Sequence, residues 1–249
     1  MKIAALYDIH GNQPALQAVL KELEQVQPDV IVLGGDIVSG PMPAQTLKCL
    51  QQLTGKVLAL RGNADREVVA ACTGELATLN LPEEVAEVTQ WVAQCLTPEQ
   101  RDFLAQLPEY VTLELAGVGE VLFCHATPYS DEAIFTPLTL LERLRTLFHD
   151  VKQPLVICGH THMQFELNVD QVRVLNAGSV GMPYAEQPGA YWLLLAPEGC
   201  EFHRTSYDLE AAAQAVKASG YPQAQEFAEE NVLTVPPAAE VMKIFERRT

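Results

Sequence analysis

Short apolar runs, separated by longer helical patterns, occupy most of the chain. Five runs rich in valine, isoleucine and leucine have the length of buried strands and end abruptly at glycine, aspartate, asparagine or histidine. They cover residues 2–7, 29–33, 56–60, 119–124 and 155–158. This pattern predicts buried strands whose last residues open into loops.

Helical spacing of apolar residues fills the segment between the first two predicted strands. The helix is predicted over residues 14–26, with Asn12 as its N-cap and Pro14 in its first turn. Together with the flanking strands it predicts a βαβ unit. Further helices are predicted over residues 42–53, 65–72, 82–94 and 98–107.

The second half of the chain is richer in strand patterns. Residues 110–115 and 119–124 flank a turn-like segment and predict a hairpin. Further strands are predicted over residues 171–175, 190–196 and 200–205. Helices that alternate with strands, followed by hairpins, predict an α/β (α+β) fold of mixed sheets with helices outside. We expect a main body at residues 1–205, which would carry any functional site, and a helical extension at residues 206–249, packed on the same domain.

Composition limits the classes of function. The chain has 249 residues, 48% of them hydrophobic, which suits one domain with a substantial core. Its formal net charge of −16 argues against long nucleic acid as a partner. The six cysteines form no C-x-x-C pair, so reduced thiols are expected. The sequence has neither a full signal-peptide pattern nor a run of about 18 apolar residues, so we expect a cytoplasmic protein that binds no membrane.

Four of the six histidines lie directly after predicted strands. They are His10, His125, His160 and His162. The carboxyl ends of strands in an α/β sheet are where residues from different strands converge on a ligand. His10 belongs to a triplet with Asp8, and in an extended stretch these two side chains would point the same way, towards one cation. Such a triplet also occurs by chance.

Other strand ends carry further candidate ligands. Asp36 could bridge two metals through its two carboxylate oxygens, or it could simply cap a turn. Asn63 offers a neutral oxygen, although Gly-Asn is also an ordinary turn. His125 is either a ligand or a hydrogen-bonded core histidine. The pair His160 and His162, two residues apart after a buried strand, is the most specific signal.

The combination of these fragments is more specific than any one of them. Five strand ends supply carboxylate, amide and imidazole ligands, a full set for two adjacent transition metal ions. The seven candidates are Asp8, His10, Asp36, Asn63, His125, His160 and His162. Neither a G-x-S-x-G elbow nor a G-x-x-x-x-G-K-[ST] loop occurs, so a serine hydrolase and a P-loop enzyme are not indicated.

The chain resembles the calcineurin-like metallophosphoesterase superfamily, and within it the small bacterial and archaeal phosphodiesterase-like branch. The resemblance covers residues 3–205. Its motifs are DIHGN at 8–12, GGD at 34–36, RGN at 61–63, GHTH at 159–162 and NAGSVG at 176–181. The resemblance implies two mixed β-sheets packed as a sandwich and flanked by helices, which is a four-layer fold.

The resemblance also implies a dinuclear metal centre. The first ion would be held by Asp8, His10 and His162 and the second by Asn63, His125 and His160, with Asp36 as the bridge. A hydroxide between the ions would attack phosphorus, so the catalytic residues acting through it would be Asp36, Asn63, His125 and His160. Mixed nitrogen and oxygen ligation suits manganese, the expected ion, with iron, zinc or nickel as alternatives.

One position departs from the pattern of the family. Many relatives carry a histidine after the Gly-Asn pair, whereas this chain has Ala64, which cannot protonate a leaving group. We therefore expect phosphodiesters with good leaving groups, or phosphoanhydrides, to react faster than alkyl monoesters. Asp65, the next residue, either caps the following helix or orients a ligating histidine.

Three residues near the motifs are candidates for substrate binding. Arg61 and Arg66 flank the Gly-Asn turn and could contact phosphate, although surface arginines are common. Asn12 could bind a substrate oxygen, or it could serve only as a helix cap. Gly178 and Gly181 are expected where the backbone passes tightly near the site.

The sequence leaves alternative functions open. The same fold could belong to a phosphomonoesterase of broad specificity, to a scaffold, or to a regulatory protein that binds nucleotides and hydrolyses them slowly. Retention of all seven candidate ligands favours the enzyme over the scaffold. The expected partner is a small phosphate ester, with nucleotide-like esters among the candidates, and the sequence does not indicate an oligomeric state.

Overall fold

The computed structural model describes residues 1–248; Thr249, the last residue of the predicted helical extension, lies outside them. A first sheet contains β1 (Ile3–Leu6), β2 (Val30–Leu33), β3 (Lys56–Ala59), β9 (Ala190–Ala196) and β10 (Gly199–Thr205). Its strand order is β10-β9-β1-β2-β3. Strands β1, β2 and β3 run parallel, while β9 pairs antiparallel with both β1 and β10. The sheet is therefore mixed.

The second sheet is also mixed. It contains β4 (Tyr110–Leu115), β5 (Gly119–Cys124), β6 (Leu155–Cys158), β7 (Gln164–Val169) and β8 (Val172–Ala177). Its strand order is β4-β5-β6-β8-β7. Strands β5, β6 and β8 are parallel, and the antiparallel strands β4 and β7 form its two edges. The hairpin predicted from residues 110–115 and 119–124 is confirmed.

Helices cover the outer faces of both sheets. They are α1 (Gln13–Val26), α2 (Pro43–Gln51), α3 (Asn63–Thr73), α4 (Glu83–Cys95), α5 (Pro98–Ala105), α6 (Leu141–Leu147), α7 (Leu209–Lys217), α8 (Ala224–Phe227) and α9 (Ala238–Arg248). A 3-10 turn at Leu76–Leu79 and a π-helical turn at Ala228–Leu233 complete the regular structure. Within residues 1–248, none of these helices combines the length and apolar character needed to cross a membrane.

Three apolar clusters hold the layers together. One lies between the sheets, where Ala5 of β1 and Phe123 of β5 are both fully buried. A second joins the outer face of the first sheet to helices α1–α5, α7 and α8. A third joins the outer face of the second sheet to α6 and α9. The order helix, sheet, sheet, helix confirms the predicted four-layer sandwich.

The structure differs from the prediction at a few elements. Strand β7 was not predicted, although polar and apolar residues alternate along its sequence QFELNV. Helix α6 was also not predicted, although Leu141, Leu144 and Leu147 recur at helical spacing along its sequence LERLRTL. Helix α3 begins at Asn63, two residues before the predicted start at residue 65. This candidate ligand therefore lies in the first helical turn. The division of the chain at residue 205 stays a prediction.

Candidate metal centre

The predicted ligands lie together beyond the carboxyl ends of β1, β2, β3, β5 and β6. Two groups of side chains offer ligand atoms that lie within 4.8 Å of one another in each group. The first contains Asp8, His10, Asp36 and His162, and the second contains Asp36, His125 and His160. Asp36 belongs to both groups, so its carboxylate lies between them. Asn63 lies four residues after the end of β3, at the start of α3, and the N–H of the next residue donates to Asp36 Oδ1 at 2.9 Å.

Sharp turns direct these side chains towards one another. Strand β1 ends at Leu6, and Asp8 and His10 have left-handed backbone conformations with φ of 51° and 47°. The prediction that the chain stays extended through His10 is therefore wrong. Left-handed φ values also occur at Asp36 (50°), His160 (67°) and His162 (58°). Each such residue stores about 1–3 kcal/mol of backbone strain, and residues of this kind cluster at functional sites.

Backbone carbonyls orient three of the histidines. The Nδ1 atoms of His10, His125 and His162 lie 2.9, 2.9 and 2.8 Å from the carbonyl oxygens of Ser39, Gly34 and Met182. Because a carbonyl oxygen only accepts, each Nδ1 atom carries the proton and donates it. In the neutral imidazole, each Nε2 atom therefore turns a lone pair into the site, which is the orientation of a metal-ligating imidazole with an outer hydrogen-bond partner.

The distances between ligand atoms suit cation binding. His10 Nε2 and His162 Nε2 lie 3.1 Å apart, so two lone pairs face each other unless a proton or a cation lies between them. Asp36 Oδ2 lies 3.6 Å from His10 Nε2 and 3.4 Å from His125 Nε2. Asp8 Oδ1 lies 3.4 Å from His162 Nε2. The donor atoms of both groups therefore converge on shared space.

Three buried polar atoms of the site have no hydrogen-bond partner among the described residues. They are Asp8 Oδ1, Asn63 Oδ1 and His125 Nε2. A buried polar atom without a partner costs about 1–3 kcal/mol. The two oxygens carry lone pairs, and His125 Nε2 presents one once a cation displaces its proton, so one divalent cation near each group would satisfy all three. The residues present therefore fit a metal centre of mixed nitrogen and oxygen ligation.

Glu67 determines the orientation of the Asn63 amide. Asn63 Nδ2 donates to Glu67 Oε1 at 3.2 Å, one helical turn further along α3. Since a carboxylate only accepts, the amide nitrogen faces Glu67 and Oδ1 faces the site. Glu67 is only 7% exposed, and burial raises the pKa of its carboxyl. Sequence reasoning missed this residue, although its spacing of four from Asn63 was visible.

Neighbouring charges shift the pKa values of the ligands. Burial raises the pKa of Asp36, but the imidazoles of His125 and His10 outweigh burial and lower it. Burial lowers the pKa of His125, but the carboxylates of Asp36 and Asp8 outweigh burial and raise it to about 10. Burial and the neighbouring His125 lower the pKa of His160 to about 4. The buried carboxylate of Asp36 is therefore ionised at neutral pH and attracts a cation.

Asp65 has the capping role that was one of its two predicted roles. Its carboxylate accepts from Gly62 N at 3.1 Å and from Ile37 N at 2.9 Å, and it is fully buried. These bonds connect the loop after β2 to the first turn of α3. They hold in place the two segments that carry Asp36 and Asn63.

Both candidate arginines lie beside the site and are engaged by carboxylates. Arg61 and Arg66 line a cavity of about 120 Å³ that His125 also lines. Arg61 Nη2 donates to Glu109 at 2.6 Å. Arg66 donates to Asp131 at 2.8 and 3.1 Å and also to Glu132. These ion pairs place the arginines within reach of a bound substrate while compensating their charge.

Asn12 acts in the structure as a helix cap. It is fully buried, and its Oδ1 accepts from Ala15 N at 3.2 Å at the start of α1. Its Nδ2 donates to Gly181 O at 2.9 Å. Nothing in this geometry supports the predicted contact between Asn12 and a substrate.

The segment Asn176 to Gly181 packs against the turns that carry the ligands and is hydrogen-bonded to them. A Cβ atom at Gly181 would lie 1.9 Å from Ile9 O, so the expected tight backbone passage is confirmed there. Ser179 Oγ donates to Asp8 O at 2.7 Å, and Asn176 Nδ2 donates to Gly159 O at 2.6 Å. The segment therefore holds both the turn after β1 and the turn after β6.

Residues 1–198 match the family model of the calcineurin-like phosphoesterase superfamily domain. The chain belongs to this superfamily, as its motifs predicted. It is 27% identical over 203 residues to phosphodiesterase YfcE of Escherichia coli K12, a match that covers 78% of this chain and 87% of YfcE.

Solved structures share the fold over nearly the whole chain. The metallophosphoesterase from Sphaerobacter thermophilus is 24% identical with a TM-score of 0.73, covering 94% of this chain and 98% of that one. The hypothetical protein PH1004 from Pyrococcus horikoshii OT3 is 21% identical with a TM-score of 0.79, covering 98% and 97%. The family model and these shared folds agree, and the chain carries an Asp/His cluster that could bind metal.

Proposed function

We propose that this protein is a hydrolase that uses two divalent metal ions to cleave phosphodiester or phosphoanhydride bonds. The observation that carries the proposal is the pair of buried ligand groups that share Asp36. Membership of the phosphoesterase superfamily supports the reaction class. Similarity to a phosphodiesterase supports a diester as the substrate.

Each of the seven side chains has a place in this proposal. Asp8, His10 and His162 would hold one ion and Asn63, His125 and His160 the other, with Asp36 shared between them. When bound, the ions supply Lewis acidity, which activates water and neutralises the phosphoryl oxygens. The protein keeps the imidazoles in one orientation through their Nδ1 bonds to backbone carbonyls. The ligand set suits manganese, with iron, zinc or nickel as alternatives.

The residue after Asn63 restricts the choice of substrate. Ala64 is only 6% exposed and offers no proton to a leaving group. Its backbone N–H instead positions the shared carboxylate of Asp36. We therefore propose that small diesters with good leaving groups, or anhydrides, are preferred to alkyl monoesters.

A hydrolysis panel with reconstituted metal tests the proposal. Metal-free protein would be supplied with manganese, iron, zinc or nickel and assayed on nitrophenyl and alkyl monoesters, nitrophenyl diesters, cyclic nucleotides and dinucleoside polyphosphates. We expect diesters or anhydrides to exceed alkyl monoesters in kcat/KM by on the order of 100-fold or more, the contribution of a missing general acid. Asp36→Asn should fold cooperatively and be inactive. A fully active Asp36→Asn, or a preference for alkyl monoesters, would contradict the proposal.

The same panel separates the alternatives. A scaffold would show neither turnover nor metal-dependent binding of phosphate esters, whereas a regulatory binder would bind nucleotides tightly without turnover. The convergence of buried ligand atoms favours the enzyme. The cytoplasmic location stays a prediction that cell fractionation can test.

A further inference from the structure

A groove lined by two tyrosines begins beside the candidate ligand His125. The cavity of about 120 Å³ next to His125 is also lined by Pro128 and Tyr129. A second cavity, of about 250 Å³, shares Pro128 and Tyr129 and is also lined by Tyr110 and Leu122. We name the two adjoining cavities the tyrosine groove. It leads from the candidate metal centre over the outer face of the second sheet.

Local structure ties both tyrosines to the metal centre. Tyr110 pairs with Cys124 across β4 and β5, and Cys124 directly precedes His125. Tyr129 lies four residues after His125, in a turn that Thr127 closes. In this turn Thr127 N donates to Ser130 O at 2.9 Å, and Ser130 N donates to Thr127 Oγ1 at 3.1 Å. The backbone at both tyrosines is therefore held close to His125.

Both tyrosine rings are exposed, and the ring of Tyr129 is held in place by a neighbouring residue. Tyr110 is 53% exposed and Tyr129 is 54% exposed. The Tyr129 ring stacks on His149 with 4.3 Å between ring centroids, and its hydroxyl donates to His149 O. A large ring held in one orientation loses little entropy when a ligand packs against it. Exposed aromatic surface beside a site of this kind is typical of a binding groove for the organic part of a ligand.

Charges along the tyrosine groove argue against a second anionic group there. Arg61 is paired with Glu109, and Arg66 with both Asp131 and Glu132, so the carboxylates outnumber the guanidinium groups. Further along, Lys152 lies 3.9 Å from the carboxylate of Asp150. Both residues also line the larger cavity. An additional phosphate would have to displace one of these pairs, whereas an uncharged ring would not.

The geometry points to the tyrosine groove as the subsite for an uncharged, planar aromatic substituent of the phosphate ester. This inference rests on the proposed function and narrows it. It favours a phosphodiester with an aromatic group as the substrate. A phosphoanhydride is disfavoured because it would bring further phosphates past Arg61 and Arg66. Tyr110 and Tyr129 would determine specificity by packing against the ring.

Binding of two non-hydrolysable ligands tests the inference. Titration calorimetry of the manganese-loaded protein would compare phenylphosphonate with methylphosphonate. Aromatic packing contributes about 0.5–1.5 kcal/mol, so we expect phenylphosphonate to bind roughly 2- to 12-fold more tightly. Tyr110→Ala and Tyr129→Ala should each reduce this preference while the affinity for methylphosphonate stays unchanged. Tyr110→Phe and Tyr129→Phe keep the ring and should keep the preference.

Control variants separate the loss of a tyrosine ring from other effects of substitution on ligand binding. Phe202→Ala removes an aromatic ring of 42% exposure from β10, an edge strand of the other sheet, and should leave both affinities unchanged. Tyr110→Leu and Tyr129→Leu keep apolar bulk without the ring, and they should lose the preference even where alanine disturbs folding.

The outcomes that overturn the inference differ from those that overturn the proposed function. Equal affinity of the wild type for the two phosphonates, or a phenyl preference that survives in both leucine variants, would overturn the tyrosine groove as an aromatic subsite. A phenyl diphosphonate carries a second anionic group. If it bound more than about tenfold more tightly than phenylphosphonate, a second anion would lie beside Arg61 and Arg66, and the diester assignment would be overturned. Failure of both phosphonates to bind would instead count against the proposed function.

Discussion

Replacement of Glu67 by glutamine tests how the second ion would be held. In the wild type, the Glu67 carboxylate accepts from Asn63 Nδ2 at 3.2 Å and thereby turns Asn63 Oδ1 towards the site. Glutamine presents an amide that can donate as well as accept. The Asn63 amide could then turn over and direct its nitrogen at the cation. We expect Glu67→Gln to weaken metal binding without removing a ligand.

The expected loss of metal affinity in Glu67→Gln follows from the burial of the contact between Glu67 and Asn63. Glu67 is 7% exposed, so water cannot readily replace the bond. A hydrogen bond to a charged group contributes about 1.5–3 kcal/mol. Outer partners of metal ligands typically change metal affinity by about 10- to 100-fold, which corresponds to about 1.4–2.7 kcal/mol. We expect the second ion to lose affinity within this range, while the first, held by Asp8, His10 and His162, changes by less than about threefold.

Calorimetric titration of metal-free protein with manganese would resolve the two binding steps. Unfolding of the metal-free variant in urea would be measured in parallel, and we expect a change in the free energy of unfolding below about 1 kcal/mol, because glutamine keeps the size of the side chain. Glu84→Gln on α4 changes an exposed glutamate and serves as the matched control. Equal affinities of wild type and Glu67→Gln for both ions would refute the orienting role of Glu67.

Two further predictions concern stability. Asp65→Ala removes the acceptor of two buried N–H groups, those of Gly62 and Ile37, and should lower the free energy of unfolding in urea by about 2–4 kcal/mol. The exposed Asp102→Ala should change it little, and a loss below about 1 kcal/mol in Asp65→Ala would contradict the cap. Removal of divalent ions by a chelator should lower the Tm seen by calorimetry by about 5–10 °C, since an ion at 100 times its Kd stabilises the fold by about 2.7 kcal/mol. An unchanged Tm would show that no ion binds the folded state preferentially.

Much of the fold was predictable from local patterns. The apolar runs that became β5 and β6 are buried throughout most of their length, so hydrophobicity alone marks them. Helix α1 was predictable because an asparagine, a common N-cap residue, precedes a proline in the first turn. The structure confirms the cap, since Asn12 accepts from Ala15 N. By contrast, α6 has only 7 residues, so the helical spacing of Leu141, Leu144 and Leu147 extends over about two turns and was too short to predict a helix.

The convergence of the ligands was also predictable, though one step of the reasoning was not correct. Polar residues at the ends of parallel strands meet at one edge, and this geometric rule holds whatever the details of each turn. The extended conformation assumed for Asp8 to His10 was wrong, because both residues adopt left-handed φ values. These values depend on bonds from distant segments, such as His10 N to Asp36 O at 2.8 Å.

The sequence by itself determined the kinds of ligand, their order along the strands and the family, since these depend on residue type and on local periodicity. Only the tertiary structure decided that three histidines donate through Nδ1 to backbone carbonyls and that Tyr110 lies one position from His125 across a strand pair. Each of these contacts joins side chains and backbone groups that chain folding brings together. A hydrogen bond needs two atoms about 3 Å apart, and spacing along a sequence does not specify that distance between separate elements.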